Sequence, residues 1–261
     1  MPLTSALGLG LLALLLGLGL GLAAKMFGVK RDEREEKALE ILPGANCGGC
    51  GYAGCQAFLS ALIKGEASIT GCPAGGAEVH EKLADVLGIE LEKAVPYKAV
   101  VRCAGTKKAA GEKYSYRGIE NCLAASLLAQ GPKDCRYGCL GFGDCARACP
   151  FDAMSMGADG LPVVDREKCT GCGICVKTCP KGINELVPEN RRVFIGCVSR
   201  GRGKAVKEVC SAGCIACGIC AKVSPEGAVV MDDNLPVIKT EDDRDLEKAV
   251  EKCPVKIILK A

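Results

Sequence analysis

The stretch Cys169-Thr-Gly-Cys172-Gly-Ile-Cys175-Val-Lys-Thr-Cys179-Pro180 decides how the rest of the chain is read. Its spacing, C-x2-C-x2-C-x3-C-P, is the ligand run of bacterial two-cluster [4Fe–4S] units. Three cysteines on a tight, glycine-containing loop cap three irons of one cubane, and the fourth, followed by proline, ligates the other cluster of a pair. The run therefore demands a second set, and one stands just upstream: Cys135, Cys139, Cys145 and Cys149, again followed by proline. Motif logic assigns Cys135, Cys139, Cys145 and Cys179 to one cluster, and Cys149, Cys169, Cys172 and Cys175 to the other. The gaps in the upstream set exceed the standard two residues, which predicts an enlarged loop on that side. Residues 151–156 and 161–164 alternate well enough for a short hairpin, giving a βαββαβ plan.

The motif returns near the C-terminus. Cys214, Cys217 and Cys220 keep the spacing, Ser224-Pro225 takes the fourth place, residues 228–231 and 235–238 repeat the hairpin, and Cys253-Pro254 closes the unit. Asp243, Leu246 and Ala249 stand where a second C-x2-C-x2-C would fall. Three loop cysteines and their partner at Ser224 belong to one cluster, so their joint absence describes a site dismantled as a unit. The expected survivor uses Cys214, Cys217, Cys220 and Cys253, with residues 243–252 running as a helix.

Working outward to the N-terminus, Cys47, Cys50, Cys55 and Cys72 form C-x2-C-x4-C-x16-C. The glycines between them permit the backbone angles of a ligand loop, and an all-thiolate set suits iron–sulfur or zinc. Zinc more often uses two paired C-x2-C knuckles, which are absent here. Residues 53–64 and 77–87 have helical apolar spacing that would hold this loop, and His80, in the second helix, is expected at the surface. Before them, residues 3–24 carry no charge and match the roughly 20 residues that cross a bilayer. Gly17 and Gly21 form a G-x-x-x-G face. A cleaved signal would carry a basic leading segment and a shorter apolar stretch. Lys25, Lys30 and Arg31 follow the apolar run, which predicts a single-pass anchor in the cytoplasmic membrane with the body on the cytoplasmic side.

Twenty cysteines against 4% aromatics in 261 residues mean that metal centres replace much of an ordinary core. Repeated C-x-x-C runs favour metal ligation in a reducing compartment over disulfides. A net charge of +3 does not argue for nucleic acid. No hydride-transfer site, P-loop or Ser/His/Asp set is present. Residues 97–102 and 192–198 read as strands and 116–129 as a helix. The four cysteines near them, Cys103, Cys122, Cys197 and Cys210, have no motif. They could converge on a further cluster; the expectation is that they pack as small apolar residues. Six Arg and Lys side chains in residues 190–207, Arg200 and Arg202 among them, could steer an acidic electron carrier.

In this order the segments resemble the B subunits of the Rnf complex, the ion-translocating ferredoxin:NAD+ oxidoreductase. The stretches that carry the resemblance are Asn46-Cys-Gly-Gly-Cys-Gly-Tyr-Ala-Gly-Cys55, Tyr137-Gly-Cys-Leu-Gly-Phe-Gly-Asp-Cys145 and the runs after Cys169 and Cys214. The resemblance implies a relay that takes electrons from reduced ferredoxin and passes them to membrane and flavin-bearing partner subunits, which bind NAD and move Na+ or H+. The expected architecture is α+β: anchor 1–25, charged linker 26–40, helical [4Fe–4S] domain 41–95, connector 96–130, two-cluster ferredoxin domain 131–185, connector 186–209 and a degenerate single-cluster ferredoxin-like domain 210–261. It carries at least four [4Fe–4S] clusters.

Overall fold

A computed structural model describes residues 2–27, 33–91, 95–240 and 243–261. Helix α1 (Pro2–Phe27) is long and apolar enough over Leu7–Met26 to cross a membrane, and none of the described residues buries that span. Lys30 and Arg31, two of the three residues on which its expected orientation rests, lie outside the described residues.

Three helices then make the first packed body: α2 (Glu33–Ile41), α3 (Cys55–Ile63) and α4 (Gly76–Leu87). Their shared core is Ala38, Leu42, Phe58, Leu59, Leu62 and Leu83. The segment expected as a charged linker therefore contributes a core helix. Arg34, Glu36, Lys37 and Glu40 are exposed, while Ala38 and Leu42, four apart, share one face. His80 also departs from expectation: it is buried, because α4 lies over the cysteine loop, and its Nε2 meets the Cys72 carbonyl oxygen at 2.8 Å.

The remainder is two copies of one βαββαβ plan. The first has β1 (Tyr97–Val101), α6 (Asp144–Arg147), the hairpin β2 (Met154–Met156) and β3 (Pro162–Val164), α7 (Ile174–Thr178) and β4 (Asn184–Pro188), with β1 antiparallel to β4 from Tyr97↔Pro188 to Val101↔Asn184. A short helix, α5 (Cys122–Leu127), lies in the long excursion between β1 and α6. It is shorter than expected because Asn121 caps it, its Oδ1 accepting from the Ala124 N–H at 2.9 Å. The second copy has β5 (Val193–Ile195), α8 (Lys204–Val209), α9 (Ile219–Val223), the hairpin β6 (Val229–Asp232) and β7 (Leu235–Ile238), α10 (Glu247–Lys252) and β8 (Ile258–Lys260). Here β5 pairs with β8, Val193↔Lys260 to Ile195↔Ile258.

These pairings shift the expected boundaries. The two segments expected as connectors supply the first strand of each unit, β1 and β5, and residues 184–188 extend the first unit past 185. A three- to five-residue strand whose partner lies far along the chain leaves little local signature.

Candidate metal centres

In the second unit the places of the three expected loop cysteines are taken by Asp243, Leu246 and Ala249. Leu246 and Ala249 are 1% exposed and join the core of that unit. Asp243 is buried, and its Oδ2 accepts the backbone N–H groups of Arg192 at 2.6 Å and Val193 at 2.9 Å. In the first unit the residue at this place is Cys169, whose Sγ accepts the N–H of Ala99 on β1 at 3.3 Å. The carboxylate and the thiol thus tie loop to first strand in the same way in the two units. Ser224 now closes its own helix, donating its hydroxyl to the Cys220 carbonyl at 2.7 Å.

Elsewhere the cysteines gather around five cavities of similar size, about 320–380 Å³ each including the mouth. We label them A to E. Cavity A is lined by Cys47, Cys50, Cys55 and Cys72. Asn46 pins its loop: Oδ1 accepts the Cys55 N–H at 2.9 Å, leaving no room for a Cβ on Gly54. Cavity B is lined by Cys149, Cys169, Cys172 and Cys175, with Phe151 and Leu186 in its wall. Cavity E is lined by Cys214, Cys217, Cys220 and Cys253, whose Sγ accepts the Ile257 N–H at 3.4 Å.

Cavity C overturns one expected grouping. Cys139, Cys145 and Cys179 line it, but the fourth cysteine is Cys122, not Cys135. Helix α5 brings Cys122 in, and the Asp144 carboxylate at the start of α6 fixes it by accepting its N–H at 2.8 Å. Chain order favours Cys135 because it precedes Cys139 closely; the excursion after β1 folds back and brings in the fourth thiol from farther upstream. Cys135 instead lines cavity D with Cys103, Cys197 and Cys210. All four cysteines expected to pack as isolated thiols thus sit in four-cysteine groups.

Burial dominates the electrostatics. It pushes the thiols of Cys139 and Cys175 up to about 12 and that of Cys214 up to about 11, with neighbouring cysteines adding to the shift. Without metal these cysteines are therefore thiols at neutral pH, and metal binding must release their protons. Each cavity presents four thiols, and none has a histidine in its lining. Among the described residues no three His, Cys, Asp or Glu side chains converge on one point closely enough to hold a single ion. The thiols ring a space instead of meeting in it, which suits a group several atoms across better than a tetrahedral zinc.

The basic segment is partly spoken for. Arg200 clamps the β6–β7 turn, donating to the Asp232 carbonyl at 2.6 Å with the Asp232 carboxylate at 3.5 Å. Lys204 lies 3.7 Å from Glu208. Arg202 and Lys207 are exposed with no ion pair among the described residues.

Residues 42–74 match a family model described as "Putative Fe-S cluster", and residues 133–183 match one described as "4Fe-4S dicluster domain". The chain is 44% identical over 250 residues to the B subunit of the Na(+)-translocating ferredoxin:NAD(+) oxidoreductase complex of Acetobacterium woodii, covering 96% of this chain and 75% of the relative. It is 39% identical over 240 residues to the B subunit of the ion-translocating oxidoreductase complex of Methanosarcina acetivorans, covering 91% and 90%. It is 40% identical over 233 residues to the B subunit of the proton-translocating ferredoxin:NAD(+) oxidoreductase complex of Clostridium ljungdahlii, covering 88% and 82%.

Proposed function

Because this chain belongs to the family of B subunits of ion-translocating oxidoreductase complexes, we propose that it is the electron-relay arm of such a complex, taking electrons from reduced ferredoxin and passing them to flavin-bearing partner subunits. The anchor α1 tethers it, and Lys25 with the basic residues after the helix sets the body on the cytoplasmic side. In this reading the thiolates of cavities A, B, C and E each hold a [4Fe–4S] cluster: Cys47, Cys50, Cys55 and Cys72; Cys149, Cys169, Cys172 and Cys175; Cys122, Cys139, Cys145 and Cys179; Cys214, Cys217, Cys220 and Cys253. The C-terminal unit holds one cluster, since its other loop is filled by Leu246 and Ala249.

When bound, such clusters supply one-electron transfer at potentials set by burial and by hydrogen bonds to sulfur. The chain's own residues arrange both. Backbone N–H groups of Ala99, Ile183 and Ile257 point at Cys169, Cys179 and Cys253. Apolar walls such as Phe151, Met154 and Leu186 keep water from cavity B. Four cysteines per cavity leave no open coordination position, so this chain conducts and its partners do the hydride chemistry.

One observation carries the reading: the four-thiol cavities A, B and C lie next to one another in that order. Cys172 of B lies close enough to Cys47 of A, and Cys175 of B to Cys145 of C, for their charges to interact. The test is stopped-flow mixing of the full-length chain, purified without air, with reduced ferredoxin. Visible absorbance should bleach within the mixing experiment, and a chain that carries iron and sulfide yet stays oxidised would overturn the relay.

A further inference from the structure

Cavity D is assigned to no cluster by its sequence pattern, because its four cysteines share no motif. We propose that Cys103, Cys135, Cys197 and Cys210 hold a fifth [4Fe–4S] cluster, and that it is the link joining the first βαββαβ unit to the second. The proposal rests on the relay reading for the other four sites and extends it.

Four observations point there. The first is size and chemistry: at about 370 Å³ the cavity matches the other four, and its cysteines are the only thiols in its lining. Second, its sulfurs are approached as ligand sulfurs are. The Cys103 Sγ accepts the Cys139 N–H at 3.4 Å, and the Cys197 Sγ accepts the N–H groups of Ser199 and Cys214, both at 3.4 Å. Amides aimed at sulfur stabilise a thiolate bound to iron more than a neutral thiol.

The third is an unmatched charge. Lys133 is 5% exposed and forms no ion pair among the described residues. Its ammonium donates to the Gly105 carbonyl at 2.6 Å. Gly105 lies against the cavity, with space for a Cβ only 3.5 Å from the sulfurs of Cys103 and Cys210. A buried ammonium needs a negative partner. Four thiolates around a cubane make a net anion, which supplies one.

The fourth is position. Cys139 lines cavity C and donates its N–H to Cys103 of D; Cys214 lines cavity E and donates its N–H to Cys197 of D. Cavity D is thus one N–H···S contact from each neighbour, and the order becomes A–B–C–D–E. An electron arriving at D from one side leaves by the other; no bond is made or broken and no proton moves.

The test is iron and acid-labile sulfide counted per full-length chain purified under strict exclusion of air, with spin quantification after reduction. The native chain should carry about twenty of each, against about sixteen if D stays thiol. Cys103→Ala/Cys210→Ala should fall by about four irons and lose one reduced-cluster signal, while Lys133→Met should keep the iron and shift the potential of one cluster downward. About sixteen irons in the native chain, or sixteen irons with one zinc, overturns the fifth cluster and leaves the relay standing. Iron near zero would instead sink the relay reading itself. The native count decides the matter even if the double variant fails to fold.

Discussion

At the scale of single residues, substitutions at two cysteines and one aspartate separate the arrangement seen here from the one that motif spacing suggests. If Cys122 were a packed thiol, Cys122→Ala would leave metal content alone. As a ligand in cavity C, it should cost about four irons per chain, read by iron assay on folded protein. Cys135→Ala should cost a different four, and the losses should add in the double variant. Asp243→Ala strands two backbone N–H groups at the start of β5. A buried donor left without a partner costs about 1–3 kcal/mol, so the denaturant midpoint should drop while iron content holds. Were iron lost as well, Asp243 would be supporting a cluster and not replacing one.

Among elements, α1 separates cleanly from the rest: its apolar span is not buried by any of the described residues. Deleting residues 2–27 should move the protein from the membrane fraction to the soluble one with its iron retained, as fractionation and metal analysis would show. The loop before α7 is the tightest joint. Gly171 has φ +74°, and a Cβ there would lie 2.3 Å from the Tyr97 carbonyl oxygen on β1. Gly171→Ala should destabilise the first unit by about 1–3 kcal/mol or more, visible as a lower unfolding midpoint. The elements most legible in the sequence were those with local signatures: the hairpins, the C-x2-C loops and α4 with its apolar period. Strands β1 and β5 were visible as strands but not as members of their units, because the partners that define them, β4 and β8, are distant in sequence. Helix α2 hid behind its charges; only Ala38 and the apolar residues after it mark the buried face.

Over the whole molecule, the legible cysteines were those whose spacing is itself the ligand geometry, such as Cys169 to Cys175 or Cys214 to Cys220. Cys103, Cys122, Cys197 and Cys210 carry no spacing rule, since each reaches its cavity through tertiary folding, and Cys135 lines a different cavity from Cys139 despite their proximity in the chain. Contact between bodies is testable too. A Cβ on Gly49 would lie 2.9 Å from the Cys172 Cβ, so Gly49→Val should wedge A from B. Electron exchange between those two sites should slow several-fold in stopped-flow absorbance with iron unchanged, since neither residue's neighbours lose a ligand.

Cavity A has all its cysteines once residue 72 is made, B at 175, C at 179, D at 210 and E at 253. That is also their order in space. Domains emerging from a ribosome fold from the N-terminal end first, so each socket can close beside one already finished, and the row can be built from the tethered end without reopening what came before.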